Sequence, residues 1–351
     1  MLAGDIWTCL DYLIDDKLRG PKNSKVRDRA TEHLWQGFEF YEAARTPRFD
    51  TRPLLYYYSF LNVAKAFLLA RAVSIPTRAG HGVTDPPTNE RKKVRLDGQS
   101  IKLEAATANH GKLMAELVIA LGSTAGPSSY RVLDLLAQIP AIHRTYMSVG
   151  RGRSSATIKT KSKRSVALQW LKGPCFAPVT KILLLADGAD LWLRVVLDSN
   201  SADTLPALTT LLRLPSFRRS LRRVAPAVPN ATVLETAPIG IKPIGPDQAI
   251  ARSVINLRTA GIWSVLTSTG YRHYLGAIPA APRLPQLASI YGVMFYLGSL
   301  TRYRPHDYDT IASGRYAWLI EEYFTTQPLQ FMYVIASTLA GTDIVAPLAK
   351  I

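Results

Sequence analysis

The stretch from Arg52 to Arg71, with the His81-Gly82 pair that follows it, constrains this chain more than any other. Leu54, Tyr57, Leu61, Ala64 and Leu68 recur at three- and four-residue spacing, the period of one helical face, and Pro53 suits a first helical turn. A helix so apolar has to be buried. Within it Ser59, Asn62 and Lys65 fall three apart and draw a narrow polar stripe along the rod. A buried amide or ammonium group is costly unless paired, so the stripe faces a partner, water or a site. A core helix with a satisfied Asn62 and a snorkelling Lys65 is the simplest of these readings.

With 351 residues, 47% of them hydrophobic, the chain can fill one large core or two ordinary ones. Cys9 and Cys175 are far apart and show no ligand spacing, which points to a reducing, cytoplasmic setting without a disulfide framework or a cysteine metal site. The N-terminal residues carry Asp11, Asp15 and Asp16 and no basic run, unlike an ordinary signal peptide. The apolar run from Leu287 to Leu300 is too short to span a bilayer, so no membrane segment is expected. The formal net charge of +17 favours polyanionic partners, because each Lys or Arg set beside a phosphate releases condensed counterions.

Taken in order, residues 4–16 predict a short amphipathic helix and Lys25 to Ala44 a long one, followed by the apolar helix. A loop with Pro76, Gly80, Gly82 and Pro86 carries His81. The alternation from Arg91 to Leu103 about Asp97-Gly98 predicts a hairpin, residues 105–121 a helix, and Tyr130 to Gln138 another. From Arg144 the composition changes. Arg151, Arg153, Lys159, Lys161, Lys163 and Arg164, spaced by Gly and Ser, predict an exposed basic loop. Strands are expected at 166–171, 180–186 and 191–197, the last two as a hairpin, with one or two more between 231 and 242. Thr204 to Arg223 reads as a helix broken at Pro215, with Arg218, Arg219, Arg222 and Arg223 on one exposed side. Helices follow at 248–268, 284–302, 311–324 and 328–339.

The fold class expected is therefore mainly α, α+β overall. Residues 1–143 and 246–351 form a composite helical bundle, interrupted by a small basic α+β insertion at 144–245. Gly-rich phosphate loops, nucleophile elbows and clustered metal ligands are absent from the sequence, and no metal or cofactor is expected. Two histidine contexts remain. Arg27 and His33 lie six apart on one helix, an arrangement that can polarise a phosphate and move a proton; a pair of this kind also arises by chance in a chain so rich in arginine. His81 and the Arg302-Tyr303-Arg304-Pro305-His306 run each follow an apolar helix, and the two ends meet in one cleft if the helical blocks pack together; ordinary helix caps explain the same residues.

Arg52 to Ala66 with its Pro53-Leu54-Leu55 and Tyr56-Tyr57, His81-Gly82-Val83-Thr84, and Leu297 to Pro305 with its Arg302-Tyr303 resemble the bacterial YaaC-like family. Its pattern is Pro-Leu-Leu-x-Tyr-Tyr with a following Lys, then His-Gly, then Arg-Tyr-x-Pro. The resemblance covers both helical blocks, leaves residues 144–242 unmatched, and brings no established reaction. More remotely, the aromatic helix and its His-Gly are similar to HEPN domains, helical bundles that include RNA-cleaving toxins and antiphage effectors. That similarity implies RNA handling, as a metal-independent endoribonuclease. His81 or His33 would be the general base and Arg302 or Arg27 would stabilise the phosphorane, with Asn62, Lys65 and Tyr303 lining the site. The basic residues from Arg151 to Arg164 and from Arg218 to Arg223 would hold RNA, in preference to DNA. Arg27, Asp28 and His33 match the HEPN motif ahead of the resembling helix and not in the final one, where it is expected. The alternative is a non-catalytic module that docks nucleic acid or a co-encoded protein partner on the same basic surfaces.

Overall fold

The computed structural model describes residues 2–46, 51–75, 80–85, 94–104, 112–123, 128–151, 175–201, 204–212, 215–225, 231–242, 244–259, 261–277 and 284–346. Two compact units emerge: Met1–Val149, Ser268–Gly270 and Leu287–Ile351 form the first, Gly150–Thr267 and Tyr271–Gln286 the second. Described residues make a mainly helical α+β protein, the class the periodicities predict.

The first unit begins with helices α1 (Ile6–Lys17), α2 (Ser24–Arg45) and α3 (Arg52–Ala70). Asp5 caps α1 through its carboxylate, which accepts from the backbone N–H groups of Trp7 and Thr8. Trp7 lies edge-on to Phe38 and Tyr41 and fastens α1 to α2. Nearly all of α3 is buried, as the run of apolar residues requires. Past α3 the chain makes β1 (Val83–Thr84), β2 (Ser100–Leu103), helix α4 (Leu113–Ala120), β3 (Ser128–Arg131), α5 (Val132–Ala137) and α6 (His143–Arg151). Strands β1, β2 and β3 form a small antiparallel sheet in that order.

Three expectations fail in this region. Asp97-Gly98 belongs to a 3-10 turn, Leu96–Gly98, and the strand after it pairs with β1 and β3 instead of closing a local hairpin. Burial of Ile101 and Leu103 decides that pairing. Tyr130 and Arg131, read as helix, complete β3 before the α5 helix starts. Arg144 and the residues after it, read as an exposed loop, continue α6 to Arg151, with Tyr146 and Met147 half-buried. The expected strand at 166–171 lies outside the described residues, as do Arg153, Lys159, Lys161, Lys163 and Arg164.

The second unit carries β4 (Cys175–Asp187), β5 (Asp190–Leu197), α7 (Thr204–Leu211), α8 (Pro215–Ser220), β6 (Leu221–Val224), β7 (Thr232–Thr236), β8 (Ile239–Gly240), α9 (Pro246–Thr259), β9 (Ile262–Thr267) and β10 (Gly270–Ala277). Among the described residues its sheet runs β6-β7-β5-β4-β10-β9, with β8 on β5. The 180–186 and 191–197 strands do form the expected hairpin, β4 against β5. Helix α9 stops at Thr259, and the Ile262-to-Thr267 run, read as its continuation, is a strand. Its alternating Ile262, Ser264 and Leu266 with Trp263 and Val265 suit a pleat as well as a helix, and the neighbouring β10 settles it. Arg222 and Arg223 likewise belong to strand β6, so the four arginines do not share one side of a helix. Successive residues of a strand face opposite ways.

The chain returns to the first unit through α10 (Gln286–Tyr303), α11 (Pro305–Ala312) and α12 (Ala317–Ala340). The break expected between residues 324 and 328 does not occur, and buried Pro328 sits inside α12. The Thr325 and Thr326 hydroxyls donate to the carbonyls of Glu321 and Glu322 in the turn before it. Phe60 of α3 stacks on Phe331 of α12 with centroids 4.0 Å apart, and each such fully buried ring contributes about 1.5–3 kcal/mol. Among the described residues no helix is long and apolar enough to cross a membrane.

The end of α3 contains a residue under strain. Val73 N–H donates to Leu68 O and Ala72 N–H to Leu69 O, a Schellman closure, but the left-handed position is filled by exposed Ala72 at φ 58°. Ala72→Gly should therefore raise the unfolding free energy by about 0.5–1 kcal/mol, read as a higher urea midpoint at unchanged slope.

Candidate functional site

Tyr57, Tyr58, Asn62 and Lys65 are set by one helix, α3, and three other elements bring side chains to them. From α2, His33 Nδ1 lies 3.2 Å from Asn62 Oδ1, and the Asn62 amide NH2 donates to Tyr58 O at 3.0 Å. That second bond fixes the amide orientation, so His33 Nδ1 is the donor and its Nε2 carries the lone pair when the ring is neutral. From α10, Arg302 donates to the Tyr58 hydroxyl at 2.8 Å. From the loop ahead of β1, His81 Nδ1 lies 2.5 Å from the Tyr57 hydroxyl, which leaves Nε2 as the nitrogen open to a ligand.

The backbone of His81-Gly82 is pinned. Leu113 N–H donates to Gly80 O, Met114 N–H to His81 O and Glu104 N–H to Gly82 O. Gly82 adopts φ +72° and presses on Lys112, where an added Cβ would come within 2.8 Å of the Lys112 Cβ. Glycine alone meets both demands, and this accounts for the His-Gly pair.

The electrostatics of the cluster are lopsided. Burial, then the Lys65 ammonium, push the His33 imidazole below its ordinary value; the Asn62 bond and Glu32 oppose this. Burial, then Lys65 and Arg302, do the same to His81. Lys65 is itself lowered, by burial and then by Arg29. Neither Lys65 nor Arg302 has a carboxylate partner among the described residues. A half-buried Lys65 ammonium and an exposed Arg302 guanidinium, without carboxylate partners among the described residues and beside two imidazoles whose proton affinity is lowered, form a cluster suited to an anion.

Next to it Arg304 forms an ion pair with the Asp85 carboxylate. Burial raises the Asp85 pKa, against the opposing pull of Arg304 and a hydrogen bond from Ser299. Arg304 is thus locally neutralised, and Arg302 is not.

Of the residues singled out from sequence, the structure gathers His33, Asn62, Lys65, His81 and Arg302. Tyr303 follows on α10 with its ring 5.0 Å under the Arg302 guanidinium. Arg27 does not join them. It lies six residues from His33, about 120° away around the helix at 100° per residue, and binds Asp15 of α1 at 3.2 Å. Arg218, Arg222 and Arg223 belong to the second unit and are exposed. Arg222, with Arg194, binds buried Glu235. Burial alone would raise the Glu235 pKa, but Arg194 and then Arg222 hold it below its ordinary value. Arg219 and Arg151 lie on helices α8 and α6. Tyr57, Tyr58, Arg29 and the Asp85–Arg304 pair escaped the sequence reading; only the tyrosine triplet carried a signal, and it reads as core.

The family model described as YaaC-like Protein matches residues 12–178 and 257–339, and the chain belongs to the YaaC-like family. His33, Asn62, Lys65, His81 and Arg302 fall inside the matched segments, whereas Arg218, Arg222 and Arg223 fall outside. No curated protein and no solved structure matches the chain significantly.

Because the folded-state imidazoles sit below the ordinary 6.5, the unfolded chain takes up these protons first. Stability is then full above about pH 6.5 and falls as pH drops through that value toward the folded pKa values. Histidine NMR titration should place both below 6.5, and Lys65→Met should raise both; an unmoved His81 would show that Lys65 does not act on it.

Proposed function

We propose that this protein handles RNA and that its helical unit is a metal-independent endoribonuclease of the kind found in toxin or antiphage systems. The observation that carries the reading is the convergence of His81, Lys65 and Arg302 without a carboxylate to balance them. A phosphodiester supplies the missing negative charge. The His81 imidazole, neutral at pH 7, accepts the proton of a ribose 2′-hydroxyl as that oxygen attacks phosphorus. Arg302 and Lys65 face the added charge of the phosphorane. The bond from phosphorus to the 5′-oxygen breaks, and the lowered pKa of Lys65 suits its ammonium to donate the proton that oxygen takes up. The products are a 2′,3′-cyclic phosphate and a 5′-hydroxyl. His33, held by Asn62, is the second base available to the site. Exposed Arg218 and Arg223 of the second unit, with the basic residues between Arg153 and Arg164, hold the backbone through charge alone.

The test is cleavage of a labelled total-RNA pool in EDTA. His81→Ala and Arg302→Ala should each lower the rate about 100-fold or more, while Arg27→Ala stays within about 3-fold of wild type. Salt-sensitive RNA retention with no cleavage by the wild type would replace the nuclease with a non-catalytic binding module.

A further inference from the structure

A cavity of about 370 Å³ opens beside the His81 and Arg302 side chains, within the first unit. One side of it is apolar and aromatic, from Leu54 and Tyr57 of α3, Val83 of β1 and Phe295 of α10. Gly298, which also lines the cavity, lets α10 approach α3 closely, since a Cβ there would stand 2.7 Å from the Cβ of Tyr57. His81, whose ring lies against Tyr57 and Phe295, and Arg302 line it too, with the Asp85 and Arg304 ion pair. At the rim the Tyr303 ring is 67% exposed, with the Arg302 guanidinium over it. The cavity therefore combines apolar and aromatic walls with His81, the Arg302 guanidinium and an exposed aromatic ring, the charge of Arg304 being taken up by Asp85.

Among common metabolic groups a nucleoside phosphate matches this combination: a planar ring that stacks on an aromatic face, and an anion one sugar away. The volume accommodates one such unit. We propose that the cavity binds a single unpaired nucleoside phosphate unit, its base among Leu54, Val83 and Phe295 and stacked at the rim on Tyr303, its phosphate on Arg302 beside His81. In the nuclease reading, on which the choice of a strand as ligand rests, this unit is the nucleotide splayed from single-stranded RNA beside the scissile bond. The same chemistry fits a free mononucleotide. Base stacking makes Tyr303 a specificity determinant for unpaired strands, and the apolar side of the cavity gives it little means of telling one base from another.

Calorimetric titration of the full chain separates these possibilities. The probes are the four ribonucleoside 5′-monophosphates, ribose 5-phosphate, inorganic phosphate, and a single-stranded and a duplex oligoribonucleotide as competitors. The mononucleotides should bind about 10-fold or more tightly than ribose 5-phosphate. Tyr303→Ala, at an exposed position, should erase that margin and leave ribose 5-phosphate binding within about 2-fold, and Tyr303→Phe should restore it. Leu54→Trp, which fills the apolar side of the cavity, should abolish the margin as well, with thermal melting as the check on folding; if that variant does not fold, Tyr303→Ala decides. Displacement by the single strand and not by the duplex identifies a strand as the source, and mononucleotide binding that neither displaces identifies a free nucleotide. Equal affinity for mononucleotides and ribose 5-phosphate, or a base margin untouched by Tyr303→Ala, overturns the proposal, as does displacement by duplex as effective as by single strand. Base-dependent binding without RNA cleavage sinks the nuclease and leaves the cavity assignment standing; cleavage without base-dependent binding does the reverse.

Discussion

Everything described in the first unit follows from the burial of α3. A helix with this many aromatic and aliphatic residues has to be covered, and α2 and α12 cover it, with Phe60 stacked on Phe331. Covering it removes water from the polar groups it carries, and each must find a partner inside the protein. The Tyr57 hydroxyl finds His81, the Tyr58 hydroxyl finds Arg302, and Asn62 finds His33 and a backbone carbonyl. Three otherwise separate segments are thereby tied to one rod, and the side chains they contribute are those with the chemistry of a site. The buried Ser59 hydroxyl finds no partner, and the Lys65 ammonium reaches no carboxylate, among the described residues. After burial itself, the Lys65 ammonium is the next cause that lowers the proton affinity of two histidines.

Contrast within a few ångströms defines the site further. Arg304 and Arg302 are two residues apart at the end of α10, but Asp85 neutralises the first, while the second meets the Tyr58 hydroxyl and the Tyr303 ring and no carboxylate among the described residues. A charge already paired contributes packing; a charge left over attracts ligands. The same distinction separates Arg222, bound to Glu235 in the second unit, from its neighbours Arg218 and Arg223, for which no ion pair occurs among the described residues. A count of basic residues therefore overstates the surface open to a polyanion, and the pairing decides which residues remain.

Sequence was most informative where a single periodicity governed a long element. The faces of α1, α2, α3 and α10 are legible because each buries many residues with one spacing, and no tertiary partner is needed to explain them. Legibility failed where a short segment's state depended on a distant neighbour. Ile262 to Thr267 and Leu221 to Val224 are strands because other strands lie beside them, and the turn at Asp97-Gly98 introduces a strand whose partners come from positions 83 and 130. In the site, Asn62 and Lys65 stood out because polar residues on an apolar helix demand an explanation, and His81 because glycine follows it. Tyr57 and Tyr58 did not, since a tyrosine whose hydroxyl does the work is indistinguishable in sequence from one whose ring does. Arg27 and His33 attracted notice through spacing alone, and helix geometry separates them.

The bond from Arg302 to Tyr58 joins residues 244 positions apart, with the whole second unit encoded between them. During synthesis α3 leaves the ribosome long before α10 and α12 exist to cover it. Until they arrive its aromatic face has no complete shelter, and Tyr58 has no guanidinium to meet. Any chemistry that requires Arg302 is consequently withheld from the nascent chain and begins only when the last helices dock, so the order of translation itself acts as a timer on the site.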